Sequence, residues 1–327
     1  MSEFRFASPA STSLDELVQL RSEAASLLRL MRRRSAAPQS GESQSRRLGR
    51  GLDFAELREY QAGDDVRLID WKVTARTGRP HTKLFVEERE RPVYLVIDFR
   101  AAMRFGTRGC YKSVLASRLA AIIGWTAITA RDRVGGVVFT DDWQAEVRPQ
   151  GGRRGLMRMF QNIMHGQNRI PRSSGVTLAD TLERVAKVAH PGSAVRLFSD
   201  FSTFDNRCVS ALGGPLATHD VMGVHVVDPI DRELPDVRLP VMASAIGSSA
   251  NSVRRVLIGG AARRKQYFNK HQEDMERLSA AFSRGKHRLV SVETGESLLN
   301  NATQTLTVAG APTRGLSTST VAGVPGR

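Results

Sequence analysis

Residues 93–98 read Val-Tyr-Leu-Val-Ile-Asp, and this run decides the fold class. An apolar stretch rich in β-branched residues, without polar alternation, predicts a strand that is buried on both faces. Strands of this kind belong to parallel sheets that helices cover on both sides. The run ends in an aspartate, which predicts a carboxylate at the edge of the sheet.

The chain that follows this strand alternates predicted helices and strands. The predicted helices are residues 111–130, 155–165, 177–189 and 263–284, and the predicted strands are residues 134–140, 145–148, 195–200, 221–228 and 288–292. Such alternation predicts an α/β fold with a mostly parallel sheet and helices on both faces. Residues 301–327 are rich in Thr, Ser, Gly, Ala and Pro, and we predict that they form a disordered tail.

Three predicted strands end in an aspartate: Asp98, Asp200 and Asp228. Right-handed crossovers bring the carboxyl ends of parallel strands to one rim, where open α/β sheets bind their ligands. The sequence therefore predicts that these three carboxylates lie along one rim.

The chain before the first strand divides into two further segments. Residues 13–31 are predicted to form a helix that opens with a Ser13/Glu16 capping box, and seven arginines with one acid lie between Arg29 and Arg50. This basic stretch is a solvated linker or a docking site for an acidic partner. We divide the chain into an N-terminal helix with its basic linker (1–48), a charged module (49–92), an α/β domain (93–300) and a tail (301–327).

The charged module mixes aromatic rings, carboxylates and arginines. Its candidate partner-binding residues are Arg58, Tyr60, Asp64, Asp65, Arg67, Asp70, Trp71 and Arg76. In a structural role, the arginines pair with the acids, and Trp71 and Tyr60 bury their rings. Loss of a buried partner strands a charge at a cost of roughly 3–5 kcal/mol, so Asp70→Ala is expected to unfold the module. The alternative is that these residues contact a partner directly.

Composition and motifs exclude several classes of protein. The apolar run from Leu119 to Ala130 is too short to span a bilayer, and we see no secretory signal, so a cytoplasmic protein is expected. There is no GxxxxGK[ST] phosphate loop, no GxSxG elbow and no HExxH motif, and we predict no cofactor.

The net charge of +15 favours an acidic protein, a nucleic acid or an anionic membrane surface as partner.

A set of short motifs in order resembles the bacterial domain of unknown function 58 family over roughly residues 41–300. The matching motifs are Gly49-Arg50-Gly51, Asp53-Phe54, Arg58-Glu59-Tyr60, Gly63-Asp64-Asp65, Arg67, Ile69-Asp70-Trp71, Ala75-Arg76, Lys112, Asp132-Arg133-Val134-Gly135, Ser199-Asp200-Phe201, Asp228-Pro229 and Leu234-Pro235. The resemblance implies a von Willebrand factor A-like domain that acts as an accessory partner of a MoxR-type AAA+ ATPase. It therefore implies an adaptor for that ATPase, for a client protein or for both, and not an enzyme.

Von Willebrand factor A domains often bind Mg²⁺ at the strand rim through an Asp-x-Ser-x-Ser loop, a threonine and a later aspartate. The resemblance places Asp98, Arg100, Ala102, Val176 and Asp200 at these positions, so two carboxylates remain and the hydroxyls are absent. We therefore expect a degenerate site that holds no metal, in which the Arg100 guanidinium bonds Asp98 or Asp200 in place of the ion. In this alignment Thr177 is the cap of the next helix.

Two alternative functions remain open. The net charge and the arginines between Arg29 and Arg50 favour a nucleic-acid-binding protein, although no aromatic residue is interleaved with those arginines. The other alternative to an adaptor is a metal-dependent hydrolase, which requires Asp98, Asp200 and Asp228 to converge on one ion.

Overall fold

The computed structural model describes residues 8–35, 52–61, 66–87, 90–169, 175–234, 240–244, 253–257 and 261–310. The chain divides into two compact units. The larger unit contains the described residues up to 35 and from 91 onward, and the smaller unit contains those between 52 and 90.

The helices are α1 (Leu14–Ser35), α2 (Trp71–Thr77), α3 (Lys112–Thr129), α4 (Arg153–Asn168), α5 (Leu178–Val188), α6 (Asn206–Gly213), α7 (Pro229–Arg232), α8 (Ala261–Arg284) and α9 (Leu298–Ala309). The strands are β1 (Leu52–Glu59), β2 (His81–Glu87), β3 (Pro92–Asp98), β4 (Arg133–Phe139), β5 (Gln144–Gln150), β6 (Ala194–Ser199), β7 (Asp220–Val227), β8 (Pro240–Ser244), β9 (Val253–Leu257) and β10 (Arg288–Glu293).

The larger unit is built on a six-stranded sheet in the order β10-β7-β6-β3-β4-β5. All neighbours in this sheet pair in parallel except β5, which lies antiparallel to β4 at the edge. The sheet and its flanking helices confirm the predicted α/β fold class, a mostly parallel sheet with helices on both faces, and are consistent with a von Willebrand factor A-like fold. Gly136 has a φ of 147°, and a Cβ atom there would lie 1.9 Å from the Leu95 carbonyl oxygen, so this part of β4 requires glycine.

The sheet separates two apolar cores, and β3 contributes alternate residues to each. Val93, Leu95 and Ile97 face the core formed with α1, α3, α4 and α9. Tyr94 and Val96 face the other core, which α5, α6 and the end of α8 complete. The buried run that begins at residue 93 is therefore covered on both sides, as its composition predicts.

The prediction of a disordered tail from residue 301 is wrong for its first part. Residues 298–309 form α9, which Ser297 caps and Gly310 ends in the left-handed conformation. Ala302 and Leu306 are one turn apart and pack into the core beside α3. The Thr-rich composition conceals this apolar face. Residues 311–327 lie outside the described residues.

Most predicted helices and strands of the larger unit are confirmed to within a few residues. The helix α1 begins at Leu14 as expected, but it ends at Ser35 and so extends into the predicted basic linker. The partial alternation of residues 82–88 also predicts a strand, which the structure shows as β2. Besides α9, the elements that the sequence did not predict are β1, α2, α6, α7, β8 and β9. The sequence predicts that Phe268, Leu278 and Phe282 share one apolar face of α8. Leu278 and Phe282 are buried, whereas Phe268, nearer the start of the helix, is exposed.

Candidate functional site

The carboxyl ends of three adjacent strands place the predicted aspartates on one rim of the sheet. Asp98 is the last residue of β3, Asp200 follows β6 directly and Asp228 follows β7 directly. Because β7, β6 and β3 are neighbours and run in parallel, these carboxylates lie side by side along the rim. Each of them, however, bonds a different set of groups.

Asp98 forms a bidentate ion pair with Arg100. The Arg100 Nη2 atom donates to Asp98 Oδ2 at 2.6 Å, and Nε donates to Oδ1 at 3.0 Å. The Ser199 hydroxyl donates to Oδ2 at 2.7 Å, and the Arg100 backbone amide donates to Oδ1 at 2.9 Å. The predicted contact between Arg100 and Asp98 is therefore present, and it engages both carboxylate oxygens.

The Arg100 side chain is fixed in the rim and does not point into water. Its Nη1 atom donates to the Thr203 hydroxyl, and its guanidinium carbon lies 5.4 Å from the centre of the Phe139 ring. Burial disfavours the cation, but the charges of Asp98, Asp200 and Asp141 outweigh this effect and raise the pKa of Arg100. The guanidinium is thus a permanent charge of the site.

Asp200 is neutralised by a second cation, Lys112, at the start of α3. The Lys112 ammonium donates to Asp200 Oδ2 at 2.9 Å and to Asp231 Oδ2 at 3.1 Å. Burial is the largest single influence and raises the pKa of Asp200, but the charge and hydrogen bond of Lys112 and the two bonds from Ser202 together outweigh it and hold that pKa below its usual value. Ser202 donates twice to the other oxygen, through its amide and its hydroxyl.

The role of Lys112 at the rim was not predicted from the sequence, although Lys112 was recognised as a family motif. A lysine at the start of an otherwise apolar buried helix is the signal that was available, because a buried ammonium needs a carboxylate partner. The sequence alone left open that Arg100 neutralises both Asp98 and Asp200. In the structure Arg100 pairs with Asp98, and Lys112 pairs with Asp200. Each aspartate has its own cation.

Asp228 has a structural environment. It accepts hydrogen bonds from the Thr107 amide at 2.7 Å, the Thr294 hydroxyl at 2.7 Å and the Ile230 amide at 3.2 Å. Burial opposes its ionisation, but the bonds from Thr107 and Thr294 hold the pKa of Asp228 below its usual value. This carboxylate caps α7 and ties two loops of the rim together.

The positions aligned with the hydroxyl ligands offer no oxygen donor from their side chains. Ala102 lies in a short 3₁₀ helix, residues 101–103, directly after Arg100. Val176 packs against the core on the α5 side of the sheet. Thr177 is the N-cap of α5 and forms a reciprocal capping box with Asp180, as predicted.

The rim does not fit a divalent cation. Mg²⁺ requires several oxygen ligands in an octahedron, whereas both oxygens of Asp98 face a guanidinium and Asp200 faces an ammonium. Within the described ranges, no group of three or more His, Cys, Asp or Glu residues is arranged to hold a metal ion. A site that combines Asp98, Asp200 and Asp228 around one ion therefore finds no support in this geometry.

The smaller unit places the candidate residues of the charged module on an antiparallel hairpin, β1 with β2, and on α2. Asp70 is the N-cap of α2, and its Oδ1 atom accepts the amide N–H groups of Lys72 and Val73. The expectation that Trp71 buries its ring is wrong: this first residue of α2 is 69% exposed.

The remaining residues of the module are placed only in part. Tyr60 is half-buried and its amide donates to the Pro80 carbonyl at 2.8 Å. Arg58 is half-buried, whereas Arg67 and Arg76 are exposed. Asp64 and Asp65 lie outside the described residues, so their pairing with arginines stays a prediction.

The part of the chain that the structure describes contains no helix with both the length and the apolar composition needed to cross a bilayer.

Three curated relatives are uncharacterized proteins, one from Mycobacterium bovis and two from strains of Mycobacterium tuberculosis, each 34% identical over 201 residues. The match covers 60% of this chain and 62% of each relative. Among solved structures, an aerotolerance-related membrane protein from Bacteroides fragilis aligns with a TM-score of 0.35 and 15% identity, over 67% of this chain and 98% of that chain.

A family model described as protein of unknown function DUF58 matches residues 56–277, a span that runs from β1 into α8. The match joins the smaller unit to most of the sheet and includes Asp98, Arg100, Lys112 and Asp200. The chain belongs to this DUF58 family.

Proposed function

We propose that this chain is a non-enzymatic adaptor that docks a MoxR-type AAA+ ATPase, a client protein or both. The observation that carries the proposal is the pairing of Asp98 with Arg100 and of Asp200 with Lys112. These two internal ion pairs engage the two carboxylates that the resemblance to von Willebrand factor A domains assigns to a metal site, and this supports a rim that works without an ion.

The same pairing argues against an enzyme. A catalytic carboxylate must exchange a proton or bind a reacting group, and a reactive site depends on groups that stay available for that step. Asp98 and Lys112 are buried and saturated by partners on the chain itself. Removal of one partner would strand a buried charge, so the pairs act as fixed parts of the rim.

The outer surface of the rim has the composition of a protein contact. Phe105, in the loop between Arg100 and α3, is 41% exposed, and Thr203 and Ser202 are exposed beside the buried ion pairs. An exposed aromatic residue in a loop of the rim is the kind of residue that anchors a protein interface. This arrangement supports a rim that binds proteins without a bridging ion.

The experiment that tests the proposal is a binding titration of the full chain with the purified MoxR-type ATPase of the same organism. We expect saturable binding that is unchanged when EDTA replaces divalent ions in the nucleotide-free state, and that weakens in Phe105→Ser. Arg153→Ser, on the exposed start of α4, is the matched surface control. Absence of binding in every nucleotide state would contradict the proposal.

A nucleic-acid-binding protein is the second candidate, and the net charge of +15 favours it. Binding of this type falls steeply with salt because counterions are released from the phosphates. A gel shift with one duplex and one single strand, at low and at physiological salt, separates the two functions. Retention of tight binding at physiological salt would favour the second candidate.

A further inference from the structure

The smaller unit presents an apolar surface that its own hairpin does not cover. Val66 is 59% exposed, Leu68 is 37% exposed and Trp71 is 69% exposed. All three lie in the 3₁₀ turn 66–68 or at the start of α2. Three large apolar side chains are thus exposed within six consecutive residues, and exposed apolar residues grouped in this way mark interaction sites.

The orientation of α2 explains this exposure. Val73 and Thr74 are half-buried, and the Thr74 hydroxyl accepts the amide N–H of His81, which ties this face of the helix to β2. Trp71 and Ala75 are four residues apart and share the opposite, exposed face. One face of α2 is thus tied to the hairpin, and the Trp71 side chain is left exposed.

The same segment is strongly basic. Lys72 and Arg76 are exposed and lie one turn apart, beside the face that carries Trp71. Arg67 precedes them, and Asp70 is the single carboxylate between residues 66 and 80. Arg79, which follows α2, pairs with Glu59 at 3.0 Å and is not counted with these cations. Because the Asp70 carboxylate caps α2, the outer side of the segment presents cations around an apolar centre.

We propose that Val66, Leu68, Trp71, Lys72 and Arg76, named here the Trp71 surface, dock an acidic protein surface that has an apolar pocket for the indole ring. The inference rests on the proposed function and takes the MoxR-type ATPase as the partner. Tryptophan and arginine dominate the energetics of protein interfaces, and cations at the border steer an acidic partner. Bases stack on aromatic rings, and the aliphatic Val66 and Leu68 add nothing to such stacking, so a protein fits better than a nucleic acid.

The test compares two variants of the surface with two matched controls in titrations of the full chain against the purified ATPase. Trp71→Ala removes the anchor, and Phe268→Ala on α8, which is 45% exposed, is its control. Lys72→Glu with Arg76→Glu reverses the charge, and Arg153→Glu with Arg154→Glu makes the same change of charge on the exposed start of α4. Far-ultraviolet circular dichroism and the melting temperature verify that each variant is folded.

We expect Trp71→Ala to weaken binding more than about tenfold, as removal of an interface anchor does, while both controls stay within about twofold of the wild type. The charge-reversal variant should bind more weakly and lose most of the salt dependence. If the wild type binds the ATPase and Trp71→Ala binds equally well, the Trp71 surface is overturned while the proposed function stands.

A second measurement separates the failure of the surface from the failure of the proposed function. A photoreactive phenylalanine in place of Ala75, on the same face as Trp71, is irradiated in the native host. If the purified ATPase does not bind, a single protein adduct whose yield falls with Lys72→Glu and Arg76→Glu still supports the surface and overturns only the ATPase as partner. An adduct with nucleic acid, or no adduct, overturns the surface.

Discussion

Arg100 and Asp98 depend on each other, because both are buried and their charges cancel. Arg100→Ala leaves the Asp98 carboxylate with the Ser199 hydroxyl and the backbone amide of residue 100 as its donors. We expect the free energy of unfolding to fall by roughly 3–5 kcal/mol, as for other broken buried pairs. Urea denaturation of the wild type and the variant measures the change.

The double variant Asp98→Asn with Arg100→Ala is the control for that measurement, because it removes the stranded charge as well as its partner. The double variant should regain more than half of the unfolding free energy that Arg100→Ala loses. If Arg100→Ala alone is as stable as the wild type, the guanidinium does not hold the rim together.

His225 makes the stability of the fold sensitive to pH. Burial lowers the pKa of His225 to about 4, against the attraction of Asp200, and its ring bonds the Ser291 hydroxyl. Since an unfolded histidine titrates near 6.5, the unfolded state binds more protons than the folded state between these two values. The unfolding free energy therefore falls as the pH decreases through this window.

Between neutral pH and about pH 5.5, His225 should lower the free energy of unfolding by about 1 kcal/mol. His225→Gln keeps a hydrogen-bonding side chain and cannot be protonated. The unfolding free energy of this variant should therefore fall by about 1 kcal/mol less than that of the wild type over the same pH interval. Chemical denaturation of both proteins at the two pH values measures it. Equal slopes would show that the histidine is protonated in the folded chain as readily as in the unfolded one.

The helix α9 is part of the larger unit, and its removal should be costly. A chain that ends at Asn300 loses the buried residues Ala302, Thr305 and Leu306 from the core beside α3. Removal of one buried leucine typically costs about 2–5 kcal/mol, and this truncation removes a larger surface. We expect a lower melting temperature and exposed apolar surface, detected by dye binding; a truncated chain as stable as the full one would contradict the packing of α9.

The helix α2 depends on the Asp70 cap. Asp70→Ala removes the acceptor for the Lys72 and Val73 amides, and loss of this cap should destabilise α2 by about 1 kcal/mol. Because Asp70 is half-buried and caps a helix, this smaller loss replaces the unfolding of the module expected from the sequence. Asp70→Ser keeps an acceptor at the cap and is the control. Amide hydrogen exchange of residues 72–77 in the full chain measures the change, and unchanged exchange in Asp70→Ala would argue against the cap.

The elements that could be predicted from the sequence are those whose pattern reports burial directly. The run at residues 93–98 is apolar throughout because two cores cover it, and the Thr177/Asp180 box marks the start of α5 as clearly in the sequence as in the structure. The rim followed from topology, because three neighbouring parallel strands each end at an aspartate.

The rest depended on contacts between residues that are far apart in the chain. Lys112 meets Asp200 across 88 positions, and no local pattern shows which carboxylate a buried lysine will bond. The exposure of Trp71 was missed because a tryptophan beside charged residues has the same composition whether its ring faces the hairpin or the solvent. The helix α9 was missed because threonines flank its few buried apolar residues.

At the scale of the whole molecule, an excess of positive charge coexists with a rim in which charge is locally cancelled. The chain carries a net charge of +15, yet Asp98 and Asp200 each meet a cation inside the fold. Arg100 and Lys112 are therefore not available to a partner, whereas exposed cations such as Lys72 and Arg76 of α2 are. This distribution is consistent with an adaptor that attracts acidic proteins.

The measurement that tests the account most directly is a calorimetric titration of the full chain with Mg²⁺ and with Mn²⁺, with Asp98→Ala as the control. Because Arg100 and Lys112 already engage the two carboxylates, we predict no saturable binding in the micromolar range. Micromolar binding in the wild type that disappears in Asp98→Ala would contradict a rim closed by its own cations.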